Sequence, residues 1–225
     1  MKKLVRMLVL ASIVMLGQAL AWSILQLPPP SVRLAEHVGT RLDASGVKHG
    51  VTAVLLNFRG YDTLLEIAVL LLALLGVLAA AAGEPSSGQR MSESSQPILQ
   101  SMARILVPLM VLIAGYLLWA GSHRPGGAFQ AGAVLAAAGV LLHLAGLMPA
   151  WGDPGRLLRA GLTEGFLLFL SVATLPLLQG AMLQYPPRWA GALILAIEAG
   201  LTLSLALMLV GLFLWLPNEN EEAKE

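Results

Sequence analysis

Four ionisable side chains lie inside long apolar stretches of this sequence: Glu66, His143, Glu164 and Glu198. Inside a membrane span such a group costs several kcal/mol unless it meets a partner or water, so each is a candidate for handling a proton or small cation. Glu66 stands out because Arg59 and Asp62 precede it at seven and four residues. On one continuous helix all three would share a face and form a charge cluster at one end of a span. Glu198 sits well inside the last apolar stretch, with Thr202 one turn further along, too deep to snorkel to the interface. It must face protein or water; a proton relay or cation contact and a neutral Glu hydrogen-bonded across helices both fit. Glu164 lies one turn into its stretch near Arg156 and Arg159, where an interfacial ion pair is the simpler reading. His143 carries an imidazole, a side-chain type that suits proton movement, although a lone buried His is more often a packing residue.

The elements that must position these groups follow from composition. Of 225 residues 57% are hydrophobic and only 12% charged, against about 25% charged in soluble domains. This is the make-up of a membrane protein. A net charge of +1 and 6% aromatics supply neither a basic field nor a stacking platform for nucleic acid. With no cysteine and four scattered His, neither a metal site nor a cofactor is expected. Six apolar stretches, Leu4 to Leu25, Thr63 to Ala82, Ile98 to Ala120, Ala128 to Met148, Ala160 to Leu183 and Trp189 to Leu216, predict an all-α polytopic integral membrane protein of about six transmembrane helices. Val51 to Ala82 as one helix would measure about 50 Å, longer than the ~30 Å hydrocarbon core, which predicts a broken second segment at Arg59-Gly60. Broken helices bordered by charge recur in ion paths.

The first stretch follows Met-Lys-Lys but is long for a signal peptide and lacks a small-x-small cleavage site, so it reads as a retained helix. Lys2, Lys3, Arg6, Arg90, Arg104, Arg156 and Arg159 fall on one side and Arg33, Arg41, Lys48, Arg124 and Arg188 on the other. That bias puts both termini on the cytoplasmic side of the cell inner (plasma) membrane. Residues 84–97, rich in Gly, Ser, Pro and charge, read as a linker between a module at 1–83 and one at 98–217, and the acidic tail at 218–225 as a solvated end. Pro125-Gly126-Gly127 marks a tight turn between the third and fourth spans. Ala128, Gly132, Ala136 and Gly139 then give the fourth span a small-residue packing face. Trp22, Trp119, Tyr185, Trp189 and Trp215 sit at span ends, as aromatic belts do. No phosphate-binding glycine motif or nucleophile-base pair is present, so an enzyme is not expected.

Two stretches resemble a known family. The run from Val51 to Glu66, VTAVLLNFRGYDTLLE, is similar to the VNVILVDFRGFDTLGE signature of the C-terminal part of the large MrpA subunit and of the small MbhE subunit of membrane-bound hydrogenases. The stretch from Leu106 to Gly132, with GSHRPGGAFQAG at its end, resembles the GHxxPGGGFxxG signature of the MnhB/MrpB family. The order across the Ser-rich linker resembles a fusion of two subunits. Leu65 stands where the family has Gly, Ala128 replaces a third Gly, and Glu198 falls where an Asp is common.

The resemblance implies a subunit of a multisubunit sodium/proton antiporter, or of a redox-driven complex holding the same module, with Na⁺, H⁺, the bilayer and other membrane subunits as partners. The residues it carries over are Arg59, Asp62 and Glu66 from the first motif and His123 and Glu198 from the second. On this reading Glu66 exchanges a proton for a cation, Arg59 lowers its pKa or gates it electrostatically, and Asp62 holds Arg59. The other chains do most of the pumping, and no redox ligand is expected here in either setting.

Overall fold

The computed structural model of the chain describes residues 2–28, 34–81, 97–148, 155–179, 182–183, 185–186 and 188–215. Residues 84–96 of the expected 84–97 linker and the acidic tail at 218–225 lie outside them, while Pro97 begins a helix. The described residues are helical, with no strand among them. Eight α-helices follow in order: α1 (Lys2–Leu25), α2 (Leu34–Arg41), α3 (Gly50–Ala53), α4 (Gly60–Ala81), α5 (Pro97–Ala120), α6 (Ala128–Leu144), α7 (Arg156–Thr174) and α8 (Ala190–Trp215). Among the described residues five helical stretches are long and apolar enough to cross a membrane, at Val5–Leu25, Gly60–Ala80, Pro97–Ala120, Arg156–Leu177 and Ala190–Trp215, and Ala128–Leu144 is a shorter apolar helix. The protein is therefore an all-α, multi-pass membrane protein, as its six apolar stretches predict. Residues Met1–His37 and Val38–Glu225 form two compact units; the first is dominated by the apolar α1.

In the second unit α8 is the axis, packed against α4, α5, α6 and α7. Most of its positions are apolar and enclosed, while Leu195, Leu203 and Phe213 remain exposed. Ile194, Ile197, Leu201, Leu205 and Met208 are fully enclosed. Gly132 and Gly139 of α6 meet Thr202, Leu205 and Val210 of α8. The expected small-residue face therefore packs on α8, and the rising numbers on both sides make the two helices parallel. From α7, Gly165 lies against Gly200 and Ser204, and Gly161 against Leu207, so that helix runs antiparallel. There the Ser204 hydroxyl donates to the Leu162 carbonyl at 2.7 Å.

The second segment breaks where its length predicts. Residues Val54–Phe58 form a π-helical turn, Arg59 leaves helical geometry at φ −130°, ψ 35°, and α4 begins at Gly60. The wider turn frees the Leu55 carbonyl, which accepts a 2.7 Å hydrogen bond from Thr63. Gly60 is buried against Leu183. α7 stops at Thr174, earlier than the apolar run predicts, and continues as a 3₁₀ turn, Leu175–Gln179. Pro176 is the physical reason, because it has no N–H to donate and its ring crowds the carbonyl four residues back.

Candidate functional site

The turn between α5 and α6 is built from backbone. The Gly127 N–H donates to the Leu117 carbonyl at 2.9 Å, and the N–H groups of His123 and Arg124 both donate to Ala120 at 2.8 Å. Gly127 takes φ +106° and ψ −171°, a conformation essentially restricted to glycine, just before α6 begins at Ala128. Here glycine also answers a question of space: a Cβ at 127 would sit 2.6 Å from Glu198 Oε1, and one at 121 would sit 3.1 Å from the same oxygen. The Glu198 carboxylate thus rests on a bare backbone nook made by Gly121 and Gly127.

Glu198 is only 3% exposed. Its carboxylate accepts a hydrogen bond from the backbone N–H of Ala128, the first turn of α6, where free N–H groups and the helix dipole favour an anion. Oε2 is buried and has no hydrogen-bond partner among the described residues. The Glu198 carbonyl takes the Thr202 hydroxyl at 2.7 Å, which satisfies that side chain within its own helix. An isolated buried carboxylate with one donor and one open oxygen is a group that holds either a proton or a cation. Below it the seam between α6 and α8 is closed, because a Cβ at Gly132 would come within 3.0 Å of Leu205 and one at Gly139 within 2.8 Å of Val210.

The outer wall of the nook comes from a distant part of the chain. The Thr52 hydroxyl donates to the Gly121 carbonyl at 2.5 Å, and His49 Nδ1 lies 3.3 Å from the same hydroxyl oxygen. The N–H groups of Lys48 and His49 both reach the Ser122 carbonyl, at 2.8 and 3.1 Å. Gly46, in the left-handed region at φ +78°, lies against Ala190 and Gly191 at the start of α8. Thr52, Gly121, the Ala128 N–H and His49 were not among the residues singled out from sequence.

The other candidates are placed as follows. Arg59 and Asp62 form an ion pair at 2.5 Å, its side chains 66% and 46% exposed. The break at Arg59 means that the three charges do not lie on one continuous helix. Glu66 is exposed on α4, beside the buried side formed by Thr63, Leu64, Ile67 and Leu74, and it shares no bonding partner with Glu198 among the described residues. His123 is exposed, stacks on Trp119 with centroids 5.7 Å apart and meets the Ser122 hydroxyl at 2.8 Å. His143 is buried in the last turn of α6, with neither ring nitrogen bonded among the described residues. Glu164 is exposed on α7. Of these candidates, Glu198 is the one that combines deep burial with a built polar surround among the described residues.

A helical bundle with, among the described residues, one buried carboxylate on a glycine turn defines a class, the multi-pass integral membrane proteins. Residues 98–216 match the family described as a domain related to the MnhB subunit of Na⁺/H⁺ antiporters. That match covers more than half of the chain, and the protein belongs to this family. Among solved structures, a chain of the Mrp complex from Dietzia sp. DQ12-45-1b superposes with a TM-score of 0.72 at 22% identity, covering 95% of this chain and 26% of that one. This chain therefore spans about a quarter of that neighbour's length. A chain of the membrane-bound sulfane sulfur reductase, an archaeal respiratory membrane complex, superposes with a TM-score of 0.71 at 23% identity, covering 94% of this chain and 97% of that one. A search of curated proteins gave no match.

Proposed function

We propose that this chain is a membrane subunit of a multisubunit monovalent cation/proton antiporter, with Na⁺ as the cation, and that it contributes carboxylates to an ion or proton path. The observation that carries the reading is the enclosed Glu198 carboxylate, held by one backbone N–H with its other oxygen open. A carboxylate in a low-dielectric site is stable either protonated or paired with a cation, and exchange between those two neutral forms is the elementary step of an antiport cycle. Glu66 is the second carboxylate of the proposal. It lies on an outer face of α4 whose neighbours Leu65, Val69 and Leu72 are also exposed, and in a membrane such a group needs a partner subunit or water. Arg59 and Asp62 form the charged pair at the head of that face.

A second reading is favoured by one specific observation. The respiratory-complex neighbour is matched over nearly its full length, whereas the Mrp neighbour is a far longer chain. This supports a membrane-arm subunit of a redox-driven complex that uses the same antiporter module. Purifying the tagged chain from its native membranes separates the two settings: co-purifying antiporter subunits alone support the first, and redox subunits in the same assembly support the second. In either setting, Glu66→Gln in an assembled complex should lower cation-dependent proton exchange. Unchanged exchange would reduce Glu66 to a packing group. On this proposal the 1–83 and 98–217 modules act as one subunit, with both termini cytoplasmic.

A further inference from the structure

The residues that enclose the Glu198 carboxylate do not all belong to the family-matched region. Gly121, Gly127 and Ala128 do, but the Gly121 peptide is held from outside by Thr52, which lies 69 positions earlier. The Thr52 hydroxyl oxygen has His49 Nδ1 at 3.3 Å as its second polar neighbour. A hydroxyl has one proton to give, and here it is committed to the Gly121 carbonyl, so the His49 contact is one in which Nδ1–H donates to Thr52 Oγ1. The imidazole thereby orients the hydroxyl. The Lys48 and His49 backbone bonds to Ser122 and the Gly46 contact with Gly191 pin the same segment at two further points.

We propose that Thr52, oriented by His49, is a positioning residue for Glu198, and that the segment from Gly46 to Thr52 is the wall that shapes the carboxylate's ion-binding nook. The inference rests on the reading of Glu198 as the exchanging carboxylate. Gly121 touches the carboxylate through its Cα side and Thr52 through its carbonyl, so loosening the Thr52 bond moves the surface on which Oε1 rests. His123 lies on the same turn but is exposed and stacked on Trp119. The titratable and basic groups around the wall are Lys48, His49, His123, Arg124 and Glu198, and of these His49 is the one bonded to Thr52.

The test uses the whole complex in everted vesicles, with assembly measured on native gels for every variant. Thr52→Val keeps the shape and removes the hydroxyl, Thr52→Ser restores it, and His49→Gln keeps a side-chain donor. The expected result is that Thr52→Val raises the half-saturating Na⁺ concentration about fivefold, as loss of one such hydrogen bond implies, while Thr52→Ser and His49→Gln stay within about twofold of wild type. Wild-type half-saturation in Thr52→Val would overturn the proposal. So would a loss of rate that follows the loss of assembled complex and is not reversed by Thr52→Ser. Glu198→Gln separates the two levels: if it leaves exchange intact, the underlying reading of Glu198 fails. If it abolishes exchange while Thr52→Val is silent, only the positioning role fails.

Discussion

Replacing Gly127 with Ala perturbs the nook at one defined point. The backbone there holds φ +106° and ψ −171°, and a side chain in that region costs about 1–3 kcal/mol in strain. The added Cβ would also lie 2.6 Å from Glu198 Oε1. The atom it meets is the end of a flexible side chain, so the carboxylate yields rather than the turn, retreating by about 1 Å before the contact is ordinary. A displacement of that size in an ion-handling group lowers turnover by about a hundredfold. The assay is cation-dependent proton exchange in everted vesicles, together with the melting temperature of the purified complex. The internal control is Gly115→Ala on α5, where a Cβ would meet nothing within 4 Å. That substitution should be silent or stabilise by about 0.5–1 kcal/mol. Exchange at the wild-type rate in Gly127→Ala, with the control also at wild-type rate, would refute the claim that the carboxylate depends on the bare turn.

Phe169 is fully enclosed among α7, α8 and their neighbours, and Phe169→Ala should cost about 3–5 kcal/mol, read as a fall in the complex's thermal midpoint. Ser204→Ala removes a side-chain hydrogen bond between α8 and α7; thermal unfolding should register about 0.6 kcal/mol, the average for such bonds in membranes. Tyr185 is buried with a hydroxyl that has no partner among the described residues, and burial pushes its phenol above the usual range. Tyr185→Phe should therefore leave stability unchanged or raise it by up to about 1 kcal/mol, and a clear drop would reveal a partner for the hydroxyl. Asp62→Asn breaks an ion pair that is about half exposed, so stability should change by less than about 1 kcal/mol; a larger loss in a denaturation series would place the pair inside an interface.

What the sequence made legible was governed by composition and by local geometry. Apolar run length located the long helices to within a few residues, the end of α7 excepted, because in a bilayer the backbone must satisfy itself within each segment. The break at Arg59-Gly60 followed from length alone. The Ala128-Gly132-Ala136-Gly139 face was readable because its period matches the helix. Other features were not readable. Thr52 and Gly121 are 69 positions apart, and neither carries a periodic signal that would pair them. Glu198 was recognised as a costly group, but its seat on Gly121 and Gly127 depends on α6 and α8 lying parallel, which is set by packing of the whole bundle. Glu66 looked the stronger candidate from its spacing to Arg59 and Asp62, a spacing that the π-helical turn separates from the continuous helical face it would otherwise define. The early end of α7 was visible in Pro176, a signal that the apolar run around it outweighed.

The most direct test of the central claim is the rate of Na⁺-dependent proton exchange in vesicles carrying the complete complex with Glu198→Gln, compared with Glu198→Asp and wild type at equal assembly. Gln should abolish exchange, since an amide neither releases a proton nor carries the charge that holds a cation, while Asp should retain part of it. Exchange at the wild-type rate in the Gln variant would leave Glu198 as a buried packing residue with no part in ion handling.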